Sequence, residues 1–348
     1  WFGSVDLLLV RGSIEDAYHV AGRGVLNLRT PLSTPNEERS IPAGYTCSPP
    51  AARPGFSLDP YLVGNILGDT IWTPSLGPIW INRTTTIYAD ASLTVRPGVE
   101  IIFAEGGVLI SRGAVSLAGS SSQPITVRSL TPRLGGFIIS AVTGSTSSSC
   151  SISHTLFRDT ACALSLDRAC SVEDCEFRNN ARALCSFGSS GNNRIVIKRC
   201  DFSGHDWVAA GAALSFEDCV FYNNGRALDS FGTVTRCQFY NHREQAVSSG
   251  GLIEDSTFWN NTVAVVGSSL TLRRNVIVGN GVGIYAVSTG GLLVDSITDN
   301  WVCSNREWNV RYSSEQPGDL GFNWFGSVDL LLVRGSIEDA YHVAGRGV

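Results

Sequence analysis

Three Glu-Asp pairs have the clearest capacity for chemistry in this sequence, and they recur along the chain as Glu173-Asp174, Glu217-Asp218 and Glu254-Asp255. Two carboxyl groups about 5–10 Å apart can hydrolyse a glycosidic bond, one as a general acid and the other as a base or nucleophile. Basic residues separate these pairs, at Lys198-Arg199, Arg236 and Arg273-Arg274. Because a neighbouring cation keeps a carboxyl group ionised, the alternation favours a neutralised row of charges over a catalytic acid.

The other groups that could bind a ligand are weaker candidates. His205 and Asp206, beside Trp207, are the best alternative for a binding site, although solvated loop residues are the favoured interpretation. There is no C-x-x-C pair, and no two histidines are spaced as zinc ligands. A net charge of -5 gives no reason to expect nucleic acid as a partner. We therefore predict no catalytic residue, no metal and no cofactor, and we expect a protein that is not an enzyme.

The composition is typical of a secreted β-protein. Of the 348 residues, 37 are Gly and ten are Cys, and only 16% are charged. A high cysteine count favours an oxidising compartment. Asn82 and Asn260 each begin an Asn-X-Thr sequon, which predicts N-linked glycans at the surface. No apolar run is long enough to span a membrane, so we expect an extracellular or cell-surface protein without a membrane span.

The elements that must position these groups follow from a short repeat. An aromatic residue or Ile returns every 18 to 25 residues, at Phe157, Phe177, Phe202, Phe221, Phe239, Phe258, Ile277 and Ile297. A period near 20 with short β-rich runs is typical of a solenoid, whose coils stack about 4.8 Å apart. Each coil should hold about three short strands, and each position in the coil then becomes a column of like side chains.

Several columns can be identified in this way. The aligned Phe and Ile residues form an inward apolar stack. An Asn column that suits a repeated turn follows three residues later, with Asn180, Asn224, Asn261, Asn280 and Asn300. The charged pairs fall in one column with His154, and Asp295 and Arg334 are expected to continue it. Alternating charge in that column turns repulsion between coils into attraction.

Most of the cysteines also fall in columns. The candidate disulfide cysteines are Cys150 with Cys170, Cys175 with Cys200, Cys219 with Cys237, and Cys47 with Cys303. Members of the first three pairs lie on adjacent coils, where their Cα atoms come within disulfide range. In the inner column, which contains the second and third pairs, disulfides and buried free thiols are equal alternatives. The last pair lies outside the columns and could join the connector to the helix, within or between units.

A much longer repeat links the two ends of the sequence. Residues Trp1–Val25 recur as Trp324–Val348 without a single change, 323 residues later, and chance does not produce such a match. A tandem array of near-identical repeats and a filament assembled with this period would both explain it. A duplicated tag is less compatible, because Val5–Val10 reads as a buried strand. The duplication therefore predicts a polymer of repeated units.

The coils resemble the pectin-lyase-like superfamily of right-handed parallel β-helices. The resemblance rests on the Phe and Asn columns between Cys150 and Asn300, and on opening coils such as Leu93–Phe103 and Gly107–Gly113. Those opening coils look like β-helices of large extracellular proteins, including proteins of animal tricellular junctions. We therefore predict an all-β, right-handed, single-stranded parallel β-helix of about a dozen coils. The resemblance implies fold and location more than activity.

Many members of this superfamily cut polysaccharides. Polygalacturonase-like members carry Asn-Thr-Asp, Asp-Asp, Gly-His-Gly and Arg-X-Lys motifs, and the nearest matches here, Gly204-His205-Asp206 and Lys198-Arg199, do not fit them. The alternative function is a secreted polysaccharide-active enzyme or a carbohydrate-binding adhesin. For an adhesin, the outward aromatic residues Tyr222, Tyr240 and Trp259 could stack on sugars.

The chain is expected to divide into three parts. Residues 1–25 would be the last coil of a preceding repeat, residues 26–78 a Pro-rich irregular connector, and residues 79–348 the β-helix. Nine of the 13 Pro lie in the connector, where they prevent regular strand pairing. The predicted function is a structural subunit of an extracellular filament built from 323-residue β-helix repeats. Its predicted partners are copies of itself placed head-to-tail, and surface glycans.

Overall fold

The computed structural model describes residues 61–139, 149–185, 195–211, 214–229, 231–248, 251–268, 270–287, 297–313, 320 and 322–339. In this part of the chain, short β-strands follow one another with almost no helix. Residues Leu62–Val348 form one compact unit. The predicted coil at residues 1–25, Cys47 and Asp295 lie outside the described residues, as does the connector as far as residue 60.

The strands are short and evenly distributed. The first third comprises β1 (Tyr61–Leu62), β2 (Thr70–Trp72), β3 (Ile79–Ile81), β4 (Thr84–Ile87), β5 (Ser92–Val95), β6 (Glu100–Phe103), β7 (Val108–Ser111), β8 (Ala114–Ala118), β9 (Ile125–Ser129), β10 (Gly136–Ile139), β11 (Cys150–Ser153) and β12 (Thr155–Arg158). The second third comprises β13 (Cys162–Leu166), β14 (Cys170–Glu173), β15 (Glu176–Arg178), β16 (Arg182–Cys185), β17 (Ile195–Lys198), β18 (Asp201–Ser203), β19 (Trp207–Ala210), β20 (Leu214–Glu217), β21 (Val220–Tyr222), β22 (Arg226–Asp229), β23 (Thr233–Thr235) and β24 (Gln238–Tyr240). The last third comprises β25 (Gln245–Ser248), β26 (Gly251–Glu254), β27 (Thr257–Trp259), β28 (Val263–Gly267), β29 (Leu270–Arg273), β30 (Val276–Val278), β31 (Val282–Ala286), β32 (Ile297–Thr298), β33 (Trp301–Cys303), β34 (Trp308–Tyr312) and β35 (Ile337–Glu338). A 3₁₀ turn covers Pro74–Leu76, and one α-helix, α1, covers Leu330–Gly335.

The strands form three parallel sheets that run the length of the molecule. Sheet A joins every third strand from β3 to β33 with β1 at its end, sheet B runs from β4 to β34 and ends at β35, and sheet C runs from β2 to β32. The described sheets contain 12, 12 and 11 strands. Each coil therefore passes through sheets C, A and B in turn. This arrangement confirms the predicted parallel β-helix and agrees with about a dozen coils.

The core is a set of stacked columns, because alternate residues of each strand point inward. The rings of Phe157, Phe177, Phe202, Phe221, Phe239 and Phe258 stack as the sequence spacing predicts. Successive ring centroids are 4.6–4.9 Å apart. Leu164, Leu184 and Leu228 lie in a second buried column in sheet B. One apolar core thus continues from coil to coil.

One coil departs from the predicted alignment. Ile277 pairs with Val302 in sheet A, whereas Ile297 pairs with Leu272 in sheet C. Ile297 is therefore not the next member of the Phe and Ile column, and Val302 takes that place. The error arose because both residues are apolar and Ile297 lies closer to the average repeat length.

A buried hydrogen-bond ladder runs along the corner between sheets A and B, and we call it the Asn/His ladder. Its rungs are Thr160, Asn180, His205, Asn224, His242, Asn261, Asn280 and Asn305. Each side chain after the first accepts the backbone N–H of the preceding rung, as when Asn224 Oδ1 accepts from His205 at 2.9 Å. Asn224 Nδ2 also donates to the carbonyl of Phe202 at 3.0 Å. Each such amide therefore forms hydrogen bonds with two buried backbone groups.

A second buried column runs along the corner between sheets C and A. It contains Cys175, Cys200, Cys219, Cys237, Ser256, Asn275, Asn300 and Asn323. Its later members repeat the ladder geometry, because Asn300 Oδ1 accepts the Asn275 N–H at 2.9 Å. Asn300 was predicted in the other Asn column, where the structure instead places Asn305. The misassignment follows from the shifted alignment at Ile297.

The boundaries of the β-helix differ from the predicted ones. Strands β1 and β2 precede residue 79 and Ile66 bridges to Ile87, so the first coil begins inside the stretch predicted as a connector. At the other end, Val328–Val333 is the copy of the run predicted as a buried strand. Here α1 begins after Asp329, whose carboxylate accepts the Leu331 N–H at 2.9 Å, and none of its residues is buried.

The strand prediction is therefore wrong for this copy. A short apolar run does not by itself distinguish helix from strand. Arg334 pairs with Asp339 at 2.7 Å, so it does not continue the charge column.

The cysteines divide between disulfides and free thiols. Cys150 and Cys170 form the predicted disulfide, with Cα atoms 4.7 Å apart. The inner column, for which both alternatives were open, holds free buried thiols at Cys175, Cys200, Cys219 and Cys237. A second disulfide joins Cys162 to Cys185, a pair that the columns did not indicate. Cys303 is a partly buried free thiol, and its proposed link to Cys47 stays a prediction.

Candidate functional site

The predicted charge row lies on the outside of the corner between sheets C and A. From β11 onward, the residue after each strand of sheet C has a positive φ of 45° to 60°, at His154, Asp174, Arg199, Asp218, Arg236, Asp255, Arg274 and Asp299. This left-handed conformation is uncommon for residues other than Gly, Asn and Asp. It repeats in eight successive coils and places charged side chains above one another. Asp299 therefore follows Arg274 in the row, the place that was expected for Asp295.

Ion pairs connect the row from coil to coil. Three bidentate pairs each have an Nε–Oδ1 distance of 2.8 Å: Asp174–Arg199, Asp218–Arg236 and Asp255–Arg274. Lys198 Nζ also lies 2.8 Å from Glu217 Oε2, which links the first pair to the second. The planar guanidinium matches the two carboxylate oxygens in this geometry. The row is thus a chain of matched opposite charges.

The electrostatics of the row do not suit acid catalysis. Hydrogen bonds from the neighbouring arginines hold the pKa of Asp174, Asp218 and Asp255 below its usual range. Hydrogen bonds from Lys198 and Arg236 lower the pKa of Glu217 in the same way. A general acid at neutral pH needs a raised pKa, so these carboxylates are poised to stay ionised.

Asp201 differs from the residues of the charge row. It lies on the outer face of sheet A, beside Glu176 of the preceding coil. Desolvation and the negative charge of Glu176 raise the pKa of Asp201, while Arg178 acts in the opposite direction. Within the described ranges, no group of three His, Cys, Asp or Glu residues is arranged to hold a metal ion. Glu176 is itself paired with Arg178, so Asp201 alone has the raised pKa that acid-base chemistry needs.

An aromatic row lies on the same outer face of sheet A, formed by Tyr222, Tyr240 and Trp259. The ring centroids of the two tyrosines are 5.3 Å apart, and those of Tyr240 and Trp259 are 4.4 Å apart, with planes within 13° of parallel. The rings therefore cover one another's faces and turn their edges outward. Because sugars stack on ring faces, a sugar can stack on this row only at the outward face of its first or its last ring.

His205 and Asp206, the alternative binding site from the sequence, do not act together. Asp206 is exposed and pairs with Arg133, whose Nη2 lies 3.1 Å from Asp206 Oδ1. His205 is fully buried as a rung of the Asn/His ladder. Its Nδ1 accepts the Asn180 N–H at 3.0 Å and its Nε2–H donates to the Phe177 carbonyl at 3.1 Å. The prediction of a solvated loop histidine is therefore wrong.

His205 replaces Asn with the same hydrogen-bonding pattern, and His242 reproduces the acceptor half of that pattern. A neutral imidazole offers one acceptor nitrogen and one N–H donor, as an amide offers an oxygen and an NH₂ group. Desolvation lowers the pKa of both His205 and His242 to about 4, so both are neutral near pH 7. His242 Nδ1 accepts the Asn224 N–H at 3.3 Å. Both histidines follow their Phe by three residues, and that offset could have identified them in the sequence.

The two predicted glycosylation sites lie at the surface. Asn82 is partly exposed in the turn between β3 and β4. Asn260 is exposed in a left-handed turn with φ of 53°, and its Nδ2 donates to Asn241 Oδ1 at 2.7 Å. Their positions are compatible with N-linked glycans, and glycosylation itself stays a prediction.

Comparisons with known proteins give one family and no individual relative. No curated protein matches the chain. None of the helices in the described part of the chain has both the length and the apolar character needed to cross a bilayer. A family model described as "right handed beta helix region" matches residues 136–302, which include the whole Phe stack and the whole charge row. In sequence and in structure, this segment is a right-handed parallel β-helix.

Proposed function

We propose that the chain is a structural unit of an extracellular polymer in which β-helices of this kind follow one another with a period of 323 residues. The observation that carries the proposal is the unchanged recurrence of Trp1–Val25 as Trp324–Val348, on either side of the β-helix. A single globular enzyme has no use for such a duplication. Repeated modules along a rod need the same junction before and after each module.

The described surface supports a mechanical role. The β-helix buries a continuous apolar core, and the charge row links successive coils by ion pairs. The disulfides Cys150–Cys170 and Cys162–Cys185 join neighbouring coils and favour an oxidising, extracellular location. The resemblance of the opening coils to extracellular junction proteins favours the same location. The proposal assigns no catalytic step to the chain, and it expects N-linked glycans at Asn82 and Asn260.

Association of the full chain tests this proposal. We expect the purified secreted protein to form end-to-end rods as its concentration rises, seen by sedimentation velocity and by negative-stain electron microscopy. Rods of uniform width with a constant axial repeat are the expected result. A protein that stays monomeric at the highest soluble concentration would contradict it.

A second candidate function is action on polysaccharides, and Asp201 is the observation that favours it. Its pKa is raised by desolvation and by the charge of the neighbouring Glu176, and a raised pKa is a property of a carboxyl group that can transfer protons. The test is release of reducing ends from a panel of acidic and neutral polysaccharides. Activity that disappears in Asp201→Asn and persists in the matched charge-row variant Asp218→Asn would favour the enzyme over the structural unit.

A further inference from the structure

The last coil is closed by an end cap, residues 322–339, whose two sides differ in their environment. On the inner side, Phe325 and Ile337 pack against the core of the β-helix. On the outer side, α1 buries none of its residues, and Leu330 and Leu331 are 80% and 83% exposed. The cap thus covers one apolar surface and presents another.

This outer surface is unusual for the end of a solenoid, because capping segments need a polar outer face for solubility. Six large apolar side chains in the described ranges are at least 65% exposed. Five of them lie in the end cap: Phe322, Val328, Leu330, Leu331 and Leu332. The sixth, Leu67, lies in the first coil, at the opposite end of the molecule. The most exposed apolar side chains are therefore found at both ends of the β-helix.

The direction of the strands limits how another molecule can lie against these ends. All sheet pairings of the β-helix are parallel, and each sheet has an outermost strand at either end. Strands β1, β2 and β4 are outermost at one end, and β33, β32 and β35 at the other. A second β-helix continues these sheets with the same polarity only if its first coil faces the end cap. Such a contact is heterologous and leads to open-ended rods.

The duplicated sequence identifies the occupant as another copy of this chain. The end-cap residues from Trp324 to Asp339 recur before the β-helix as Trp1–Asp16, within the longer duplication of Trp1–Val25. A segment that both follows and precedes the same β-helix lies between two successive β-helices in any repeating array. We infer that the outer face of the end cap, centred on Leu330 and Leu331, is the docking surface for the first coil of the next copy, where Leu67 contacts it. This inference rests on the proposed function and adds the contact surfaces.

Two charged variants of the full chain test the inference. Leu331→Asp places a charge on the end cap, and Leu67→Asp places one on the first coil. Both side chains are exposed, so we expect the thermal unfolding midpoints to match that of the wild type. Leu130→Asp, at an exposed position between β9 and β10 on the side of the rod, is the matched control. Sedimentation velocity should show association at least about tenfold weaker for each end variant and unchanged for the control.

Mixing the two end variants distinguishes the contact from other arrangements. Each variant keeps one intact end, so an equimolar mixture should form dimers and no longer rods. Association of Leu331→Asp at wild-type strength would overturn the inference and leave the proposed function standing. Dimers that persist in Leu67→Asp alone would indicate contacts between two end caps, which also overturns it. A monomeric wild type would remove the proposed function and the inference together.

Discussion

The two buried corner columns have the same backbone conformation and different side chains. At both corners, a residue with φ near 54° precedes the buried residue, as at Asp218 before Cys219 and at Asn223 before Asn224. Between sheets A and B, the buried residues are Asn and His, which satisfy backbone groups by hydrogen bonds. Between sheets C and A, four successive coils use Cys instead, and charged residues alternate outside.

The comparison shows that the turn geometry does not require one residue type. An Asn rung fills the corner, accepts from one buried backbone N–H and donates to one buried carbonyl, so its loss removes both hydrogen bonds. A thiol fills the same space with much weaker hydrogen bonds, as in the 3.4 Å contact between the Cys175 N–H and Cys200 Sγ. Outside, the ion pairs of the charge row lie in solvent, where they are screened. The three kinds of contact should therefore differ strongly in their contribution to stability.

The largest effect is expected from Asn224→Ala, compared with Cys219→Ala in the same coil. Loss of the amide leaves the His205 N–H without its partner and removes the hydrogen bond to the Phe202 carbonyl, which should cost about 3 kcal/mol of unfolding free energy. Removing the Cys219 thiol mainly loses buried volume, which should lower the unfolding free energy by about 1 kcal/mol. Urea unfolding of both variants measures the difference. Equal losses would mean that the two columns are held by packing alone.

The histidines of the ladder predict a specific acid sensitivity. The folded-state pKa of about 4 lies below the unfolded value of about 6.5, so the unfolded chain binds protons first as the pH falls. The contribution of His205 and His242 to stability is complete above pH 6.5 and declines between pH 6.5 and pH 4. Each histidine should account for about 3 kcal/mol of that decline.

Replacing each ladder histidine by Asn, the residue of the neighbouring rungs, tests whether the histidines cause this acid sensitivity. His205→Asn should keep the ladder intact and remove about half of the decline in unfolding free energy between pH 6.5 and pH 4. His242→Asn should behave alike, and the double variant should be nearly flat in this range. The charge-row carboxylates have lowered pKa values and lose their contribution at lower pH, so they do not imitate the effect. An unchanged pH profile in the double variant would refute the assignment.

The smallest effect is expected in the charge row. Arg236→Gln removes the ion pair with Asp218 and the shorter contact with Glu217, all exposed to solvent. The unfolding free energy should fall much less than in Asn224→Ala, and the difference from wild type should vanish at high salt, where the Debye length is about 3 Å. Arg236→Glu should reverse the attraction and destabilise more, and the added change Asp218→Arg should restore stability. A salt-independent loss would indicate packing of the arginine stem instead.

Much of this architecture was determined by the sequence alone. The spacing of Phe157, Phe177 and the later aromatic residues predicted the stacked core, because only a solenoid returns one residue type to one wall at each coil. The alternation of acidic and basic residues likewise predicted ion pairs between coils, and the pairing of Cys150 with Cys170 followed from their common offset. The unchanged recurrence of residues 1–25 was visible without any coordinates. These features depend on local spacing, which one chain records directly.

Tertiary structure decided the features that depend on register between coils. The long coil between Ile277 and Val302 moved Asn300 to the other corner, and spacing alone could not choose between two apolar residues. Burial converted His205 from a candidate ligand into a rung of the ladder, because desolvation and two backbone partners are set by neighbouring coils. The apolar run at Leu330 became an exposed helix instead of a strand, since a short apolar segment takes its conformation from the surface it meets.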